Sequence, residues 1–239
     1  MKYFMLASGS KGNACVIDVN GVKIMIDCGT TKRYLNQSLE SIGLSFDSID
    51  YVLVTHDHSD HTSQLKHFKH AITYSPTSHD FDSVMVNPYE SFEINGVNVL
   101  PIKTSHDDES SVGYVLSNGD SKLVYVTDTG YIRKQDMELI KDANIYIFES
   151  NHDPEMLMLT ARPYHIKQRI LSDEGHLSNE DAALILSQVV TDNTKEVVLA
   201  HLSLQANSED LAISTMRKHL NSDSIIVKAA RQFEVVFGG

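Results

Sequence analysis

Apolar residues fall along this chain in short runs set off by Gly, Asn-Gly and Pro, with helical spacing between some of them. The runs Tyr3 to Ala7, Ala14 to Val19 and Val22 to Asp27 predict three strands, with Asn20-Gly21 as a two-residue hairpin turn between the last two. Further short runs predict strands at Tyr51 to Val54, Ala71 to Tyr74, Val97 to Ile102, Val112 to Leu116, Leu123 to Val126 and Ile145 to Glu149. Glu196 to Ala200, Ile225 to Lys228 and Phe233 to Phe237 complete the set. Asn95-Gly96 and Ser117-Asn118-Gly119-Asp120 mark two more turns. Leu35, Leu39 and Ile42 share one face of a helix predicted over Thr31 to Ile42. Met137 to Ala143 and Ala182 to Val190 are also helical, the latter opened by the cap Ser178-Asn179-Glu180-Asp181. Glu155 to Leu171 reads as helix broken near Pro163, and Asn207 opens a last helix through Leu220. Strands and helices alternate in both halves with no long linker. That pattern predicts an α/β fold with helices covering sheets, as a single domain over residues 1–239.

Candidate chemistry gathers where strands end. Val54-Thr55-His56-Asp57-His58-Ser59-Asp60-His61 follows a buried-strand run and carries three imidazoles and two further carboxylates within six residues, from His56 to His61. In an extended segment His56 and His58 point the same way, because strand side chains repeat every two residues. Asp60 and His61 come where the chain can turn, so one strand end can present ligands to two adjacent metal ions. Neutral imidazole mixed with carboxylate suits borderline divalent metals. Strands also deliver His106, Asp128 and His201, which a sheet can gather at one edge. His67, His70 and His79 lack ligand spacing and read as surface or packing residues. Ser8 to Asn13 is either a backbone anion nest or a tight turn. Neither cysteine has an evident Cys-His setting and no Gly-x-Ser-x-Gly elbow occurs, which argues against a protein nucleophile.

Composition narrows the partners. A formal charge of −12 argues against broad, charge-driven binding to nucleic acid or anionic lipid. No apolar run reaches membrane-spanning length, and no signal segment is expected at the N-terminus. Cys15 and Cys28 lie in strand-like runs; buried free thiols and a reducing, cytoplasmic compartment fit, with a disulfide between them left open. Arg162, His165, Lys167 and Arg169 form a basic cluster in a stretch, Thr160 to Leu171, that has no acid.

The pattern His-x-His-x-Asp-His after an apolar strand resembles the metallo-β-lactamase superfamily. Ala7-Ser8-Gly9-Ser10-Lys11-Gly12-Asn13, Thr127-Asp128-Thr129-Gly130, Glu149-Ser150-Asn151-His152-Asp153 and Gly175-His176-Leu177-Ser178-Asn179-Glu180 make it similar to the YycJ/WalJ-type branch of small hydrolases. The resemblance implies an αββα sandwich, two mixed β-sheets flanked by helices, with two divalent metal ions, zinc or manganese, at one sheet edge. His56, His58 and His106 would hold one ion, Asp60, His61 and His201 the other, and Asp128 would bridge them. Asp27 would orient a ligand histidine. A metal-bridging hydroxide would be the nucleophile. His176 would serve the leaving group or the phosphate, and His152 the pocket wall or substrate. The branch implies a phosphodiesterase, a 5′-to-3′ exonuclease on DNA ends, with Arg162, Lys167 and Arg169 toward the nucleic acid. Hydrolysis of a small phosphodiester or of a thiolester is the alternative, although His61 is followed by Thr62-Ser63-Gln64 and not by the His-x-Gly-Gly of glyoxalase II. A metal-binding regulatory protein is the non-enzymatic alternative.

Overall fold

The strand-forming runs assemble into two facing sheets. The protein is described by a computed structural model over residues 1–119 and 121–239. The first sheet holds β1 (Lys2–Ala7), β2 (Ala14–Val19), β3 (Val22–Cys28), β4 (Tyr51–Leu53), β5 (Ile72–Ser75) and β6 (Ser83–Met85). The second holds β7 (Phe92–Ile94), β8 (Val97–Lys103), β9 (Val112–Asn118), β10 (Ser121–Val126), β11 (Ile145–Glu149), β12 (Glu196–Ala200) and β13 (Ile226–Ala229). β14 (Val236–Gly238) returns to the first sheet, giving the orders β14-β1-β2-β3-β4-β5-β6 and β13-β12-β11-β10-β9-β8-β7. The helices are α1 (Lys32–Ser41), α2 (Ser59–Thr62), α3 (Lys134–Ile140), α4 (Pro154–Leu159), α5 (Tyr164–Ile170), α6 (Asn179–Val189) and α7 (Glu209–His219).

Strand alternation builds the layers. Cys15, Ile17 and Val19 of β2 point between the sheets, where they meet Val99, Tyr114, Leu116 and Tyr125. Ala14 and Val16 point the other way, onto Leu35 and Leu39 of α1. On the far side, Val124, Val126, Tyr146 and Phe148 pack on Ile140, Leu186 and Met216 of α3, α6 and α7. The result is helix, sheet, sheet, helix, as the resemblance implied. Cys15 lies in the inter-sheet core and Cys28 in the helix-covered layer, and both are free thiols, which closes the disulfide question. Among the described residues no helix is long and apolar enough to cross a membrane.

The parallel strands set the site. β3, β4 and β5 run parallel, as do β10, β11, β12 and β13, with helical crossovers between most of them. Their carboxyl ends open on one crevice, the usual ligand position in α/β sheets. Three local expectations change. The short strand β6 adds to the predicted set, and β7 supplies the partner that the Asn95-Gly96 turn implies, pairing antiparallel with β8. The last helix is capped by Ser208, which accepts from the Leu211 amide, while Asn207 instead bonds the Ser150 and Asn151 carbonyls. The Ser8 to Asn13 segment is a tight turn and not an anion nest. The amides of Gly9, Lys11, Gly12 and Asn13 already donate to Asn13 Oδ1, Gln232 Oε1, the Gly9 carbonyl and the Asp60 carbonyl. Asp120 of the predicted turn lies outside the described residues.

Gly29 is where this packing leaves least room. It follows β3, and a Cβ there would fall 1.7 Å from the Asp60 carbonyl oxygen of α2. Gly29→Ala must push α2 off the strand end. Urea unfolding of the metal-free protein should show a loss of about 1–3 kcal/mol. Parental stability would mean that α2 is not fixed by this contact.

Candidate metal centre

Two residues beyond β4 the chain reaches Thr55, where a buried carboxylate takes hold of it. Asp27 accepts from the Thr55 amide at 2.9 Å and from its hydroxyl at 2.8 Å, and lies 2.7 Å from His61 Nδ1. One side chain thus fixes both the strand end and a ring of α2. With Nδ1 held, Nε2 of His61 faces inward, the arrangement in which metal-binding histidines are kept. Opposite it lie Asp128 Oδ2 at 3.4 Å and Asp60 Oδ2 at 3.7 Å. The side-chain nitrogen of Asn13 also reaches this Nε2, at 3.0 Å. His56 Nε2 and His58 Nδ1 are 3.0 Å apart, and the His106 ring stands edge-on to both. These three offer nitrogens close enough to share one ion.

The second half repeats the device. Glu149, the last residue of β11, is wholly buried. It accepts from the Thr129 amide at 2.8 Å, and its Oε1 lies 2.7 Å from His176 Nδ1 and 2.9 Å from His201 Nδ1. His201 Nε2 then faces Asp128 Oδ1 at 3.5 Å. Asp128 therefore stands between His61 and His201 with one oxygen toward each. Asp27, Asp128 and His201 all have φ of +56°. Left-handed backbone costs an L-residue roughly 1–2 kcal/mol, and it turns each of these side chains out of the pleat and into the crevice.

These residues fit a pair of divalent ions. Asp128 Oδ2 and His201 Nε2 are buried without a hydrogen-bond partner. Leaving such atoms unpaired costs roughly 1–3 kcal/mol each, and a cation between them would satisfy both. The electrostatics agree. Burial opposes charge on His61, but Asp27 and Asp128 outweigh it and raise the ring to about 9. His201, equally buried, is brought to about 9 by Asp128 and Glu149. Burial also opposes the Asp128 charge, yet His201, His61, His56 and His176 hold that carboxyl well below the usual range. Glu149 falls to about 2 against its burial because of His176 and His201. Burial, and then His61, push His56 down to about 2, and burial lowers His106. Protons on His61 and His201 thus stand in for positive charge that the carboxylates demand.

The other candidates divide. His176 joins the cluster, with Nδ1 on Glu149 and 4.0 Å from Asp128. Arg162 and Arg169 line a cavity of about 140 Å³ together with Ser10, Ser203, His176 and His201. Lys167 does not join them: it is buried and its ammonium donates to the Met158 carbonyl. His152 is buried too, both ring nitrogens lack partners, and it does not line that cavity; burial lowers it to about 4. His79 bonds Ser75, and His67 packs against Phe46, away from the cluster. Two participants were missed. Glu149 ends an apolar strand as Asp27 does, a signal open to reading. Asp107 lies 3.1 Å from His106 Nε2 and 2.7 Å from Arg169, and nothing in its spacing marked it.

Residues 23–202 match the family described as Beta-lactamase superfamily domain. The chain is 35% identical over 227 residues to "Exodeoxyribonuclease YycJ" of Bacillus anthracis, covering 89% of this chain and 86% of that protein. It is 31% identical over 241 residues to "Exodeoxyribonuclease WalJ" of Streptococcus pneumoniae, covering 92% and 88%. The metallo-β-lactamase fold protein YhfI of Bacillus subtilis superposes with a TM-score of 0.75 at 15% identity, covering 99% of both chains.

Metal loading should show the proton count. Ions must displace protons from His61 and His201, both raised to about 9 from the ordinary 6.5. Zinc titrated into metal-free protein at neutral pH should therefore release protons from these rings. Apparent affinity should rise with pH up to about 9 and level off. Calorimetry in buffers of different ionisation enthalpy measures the release; loading without it would mean the rings are already neutral.

Proposed function

The chain belongs to the β-lactamase superfamily, and from that premise we propose that it is a two-metal phosphodiesterase that shortens DNA from a 5′ end. His56, His58 and His106 would hold one ion, and Asp60, His61 and His201 the other, with Asp128 between them. Ions held there, zinc or manganese, supply Lewis acidity that lowers the pKa of a water and offsets charge building on a phosphoryl oxygen.

The protein's own residues do the rest. Glu149 uses one oxygen to orient both His201 and His176. With Nδ1 of His176 so held, its Nε2 is free to give a proton to a leaving oxygen in the cavity. Asp128, kept ionised by the imidazoles around it, cannot serve as that acid. The observation that carries the phosphate reading is Arg162. It bonds only neutral acceptors, Gln205 Oε1 at 3.1 Å and Ser203 Oγ at 3.4 Å, and among the described residues no acid pairs with it. An uncompensated guanidinium on the wall of a small cavity beside His176 suits a phosphate oxygen. The choice of DNA rests on the exodeoxyribonuclease relatives, which this chain matches over most of its length.

The variants separate the roles. Asp128→Ala should lose metal from both positions together with activity, as measured by elemental analysis and cleavage of a labelled DNA strand. His176→Ala should keep its metal and lose turnover by roughly 10²–10⁴-fold. Loss of an ion in that variant would make His176 a ligand. Arg162→Glu should raise the KM for a DNA end and for a small chromogenic phosphodiester alike, since both present the phosphate oxygen that the guanidinium suits. If the parent cuts no nucleic acid with zinc or manganese, a small diester takes its place as substrate.

A further inference from the structure

We propose that Asp107 belongs to the metal centre: one oxygen is set against the Nε2 atoms of His106 and His58, and the second fixes Arg169 beside the ions. The proposal rests on the reading that the cluster holds metal and is independent of the nucleic-acid substrate.

Three histidines of the cluster turn one nitrogen inward and leave the other outward. For His61 and His201 the outward Nδ1 meets a buried carboxylate, Asp27 or Glu149. His58 is reversed. Its Nδ1 faces His56 Nε2 at 3.0 Å, so its Nε2 points outward. The acid facing that atom is Asp107, with Oδ1 at 3.7 Å, and the same oxygen lies 3.1 Å from His106 Nε2. Asp107 Oδ2 meanwhile lies 2.7 Å from an Arg169 guanidinium nitrogen. An isolated surface pair would favour a two-pronged contact with arginine. Here the carboxylate divides, one oxygen to the imidazoles and one to the guanidinium.

The loop is built to keep it there. Asp107 lies between β8 and β9, and its neighbour Asp108 accepts from the Ser110 amide at 2.8 Å and from the Asp57 amide at 3.3 Å. The second contact ties the loop to the segment that carries His56 and His58. Arg169, on α5, lines the cavity with Arg162 and His176. Asp107 is thus a positioning residue linking one ion's histidines to a cation at the substrate side.

The test is zinc affinity of the whole chain, measured by competition with a chromophoric chelator. Asp107→Asn should weaken one of two zinc equivalents by about 10–100-fold, the usual effect of removing a ligand's outer partner. Arg169→Gln should leave both equivalents at parental affinity. In nitrogen-15 histidine spectra of the zinc-loaded protein, the His58 Nε2 proton should exchange faster in Asp107→Asn than in the parent. Metal-free Asp107→Asn should melt within about 2 °C of the parent, as expected of a partly exposed site. If it does not, Asp107→Glu decides, since it must keep more zinc affinity than Asp107→Asn. Parental zinc affinity in Asp107→Asn, or an equal loss in Arg169→Gln, overturns the proposal alone. A parent chain that binds no zinc overturns the two-ion reading and this proposal together.

Discussion

Two carboxylates removed from water, Asp27 and Glu149, are the constraint from which the centre follows. Burying a carboxylate costs several kcal/mol unless donors surround it, and stripping a partner from such a pair commonly costs about 3–5 kcal/mol. Each is satisfied in the same manner, by backbone amide and imidazole. Asp27 takes the Thr55 amide and His61, and Glu149 takes the Thr129 amide, His176 and His201. Each bond that compensates the burial also aims a ring. The opposite nitrogens of His61 and His201 then converge on Asp128, a third buried anion. The centre therefore has an excess of negative charge that only protons or metal ions can answer. Its metal affinity and its folding energetics are one problem.

The Ser8 to Asn13 turn adds hydrogen bonds across the crevice to the packing that already joins the two sheets. Ser8 Oγ accepts from the His201 amide at 2.7 Å, on the second sheet's side. The Asn13 amide donates to the Asp60 carbonyl at 2.8 Å, and its side chain reaches His61, on the first sheet's side. Gln232 closes the turn from behind, accepting from the Lys11 amide and donating to the Gly12 carbonyl. Gly12 has φ of +144°, and a Cβ there would lie 1.7 Å from the Gly29 carbonyl oxygen. No other residue can occupy that corner while the turn stays against β3. A glycine-rich stretch that looks like a phosphate cradle here works as a clamp.

Most of the centre was legible because it obeys strand logic. His56, His106, Asp128 and His201 each follow an apolar run, and a strand that ends at a sheet edge delivers its next side chain to that edge. Glu149 obeys the same rule as Asp27 and heads the run Glu149-Ser150-Asn151-His152-Asp153, but a lone acid after Ile-Tyr-Ile-Phe does not by itself disclose which rings it holds. Asp107 was hidden for a different reason. Its role comes from a loop fold set by Asp108, and loop geometry has no period to read. The basic cluster divides by helix phase. Lys167 and Arg169 are two residues apart, roughly 200° around a helix, so both cannot face one cavity. Arg169 reaches the cavity and Lys167 turns to the Met158 carbonyl. The edge strands β6 and β7, of three residues each, are too short to show alternation.

Charge shapes how such a centre would choose a substrate. The chain carries −12 overall, so a long polyanion meets repulsion over most of the surface. The cavity wall has two guanidiniums, and Arg169 is already paired with Asp107. Of these two, Arg162 is the one that no acid pairs with among the described residues. On the proposed reading, attraction is then confined to the ions and one arginine, within a few ångströms of the reacting phosphate. Each phosphate neutralised contributes a salt slope of about 0.7–0.9, so so few contacts imply weak salt dependence and little hold on the body of a duplex. A strand end can enter a small cavity where the middle of a strand cannot. On the proposed reading, selection of an end would follow from the scarcity of cations and the size of the cavity together, with no need to read bases.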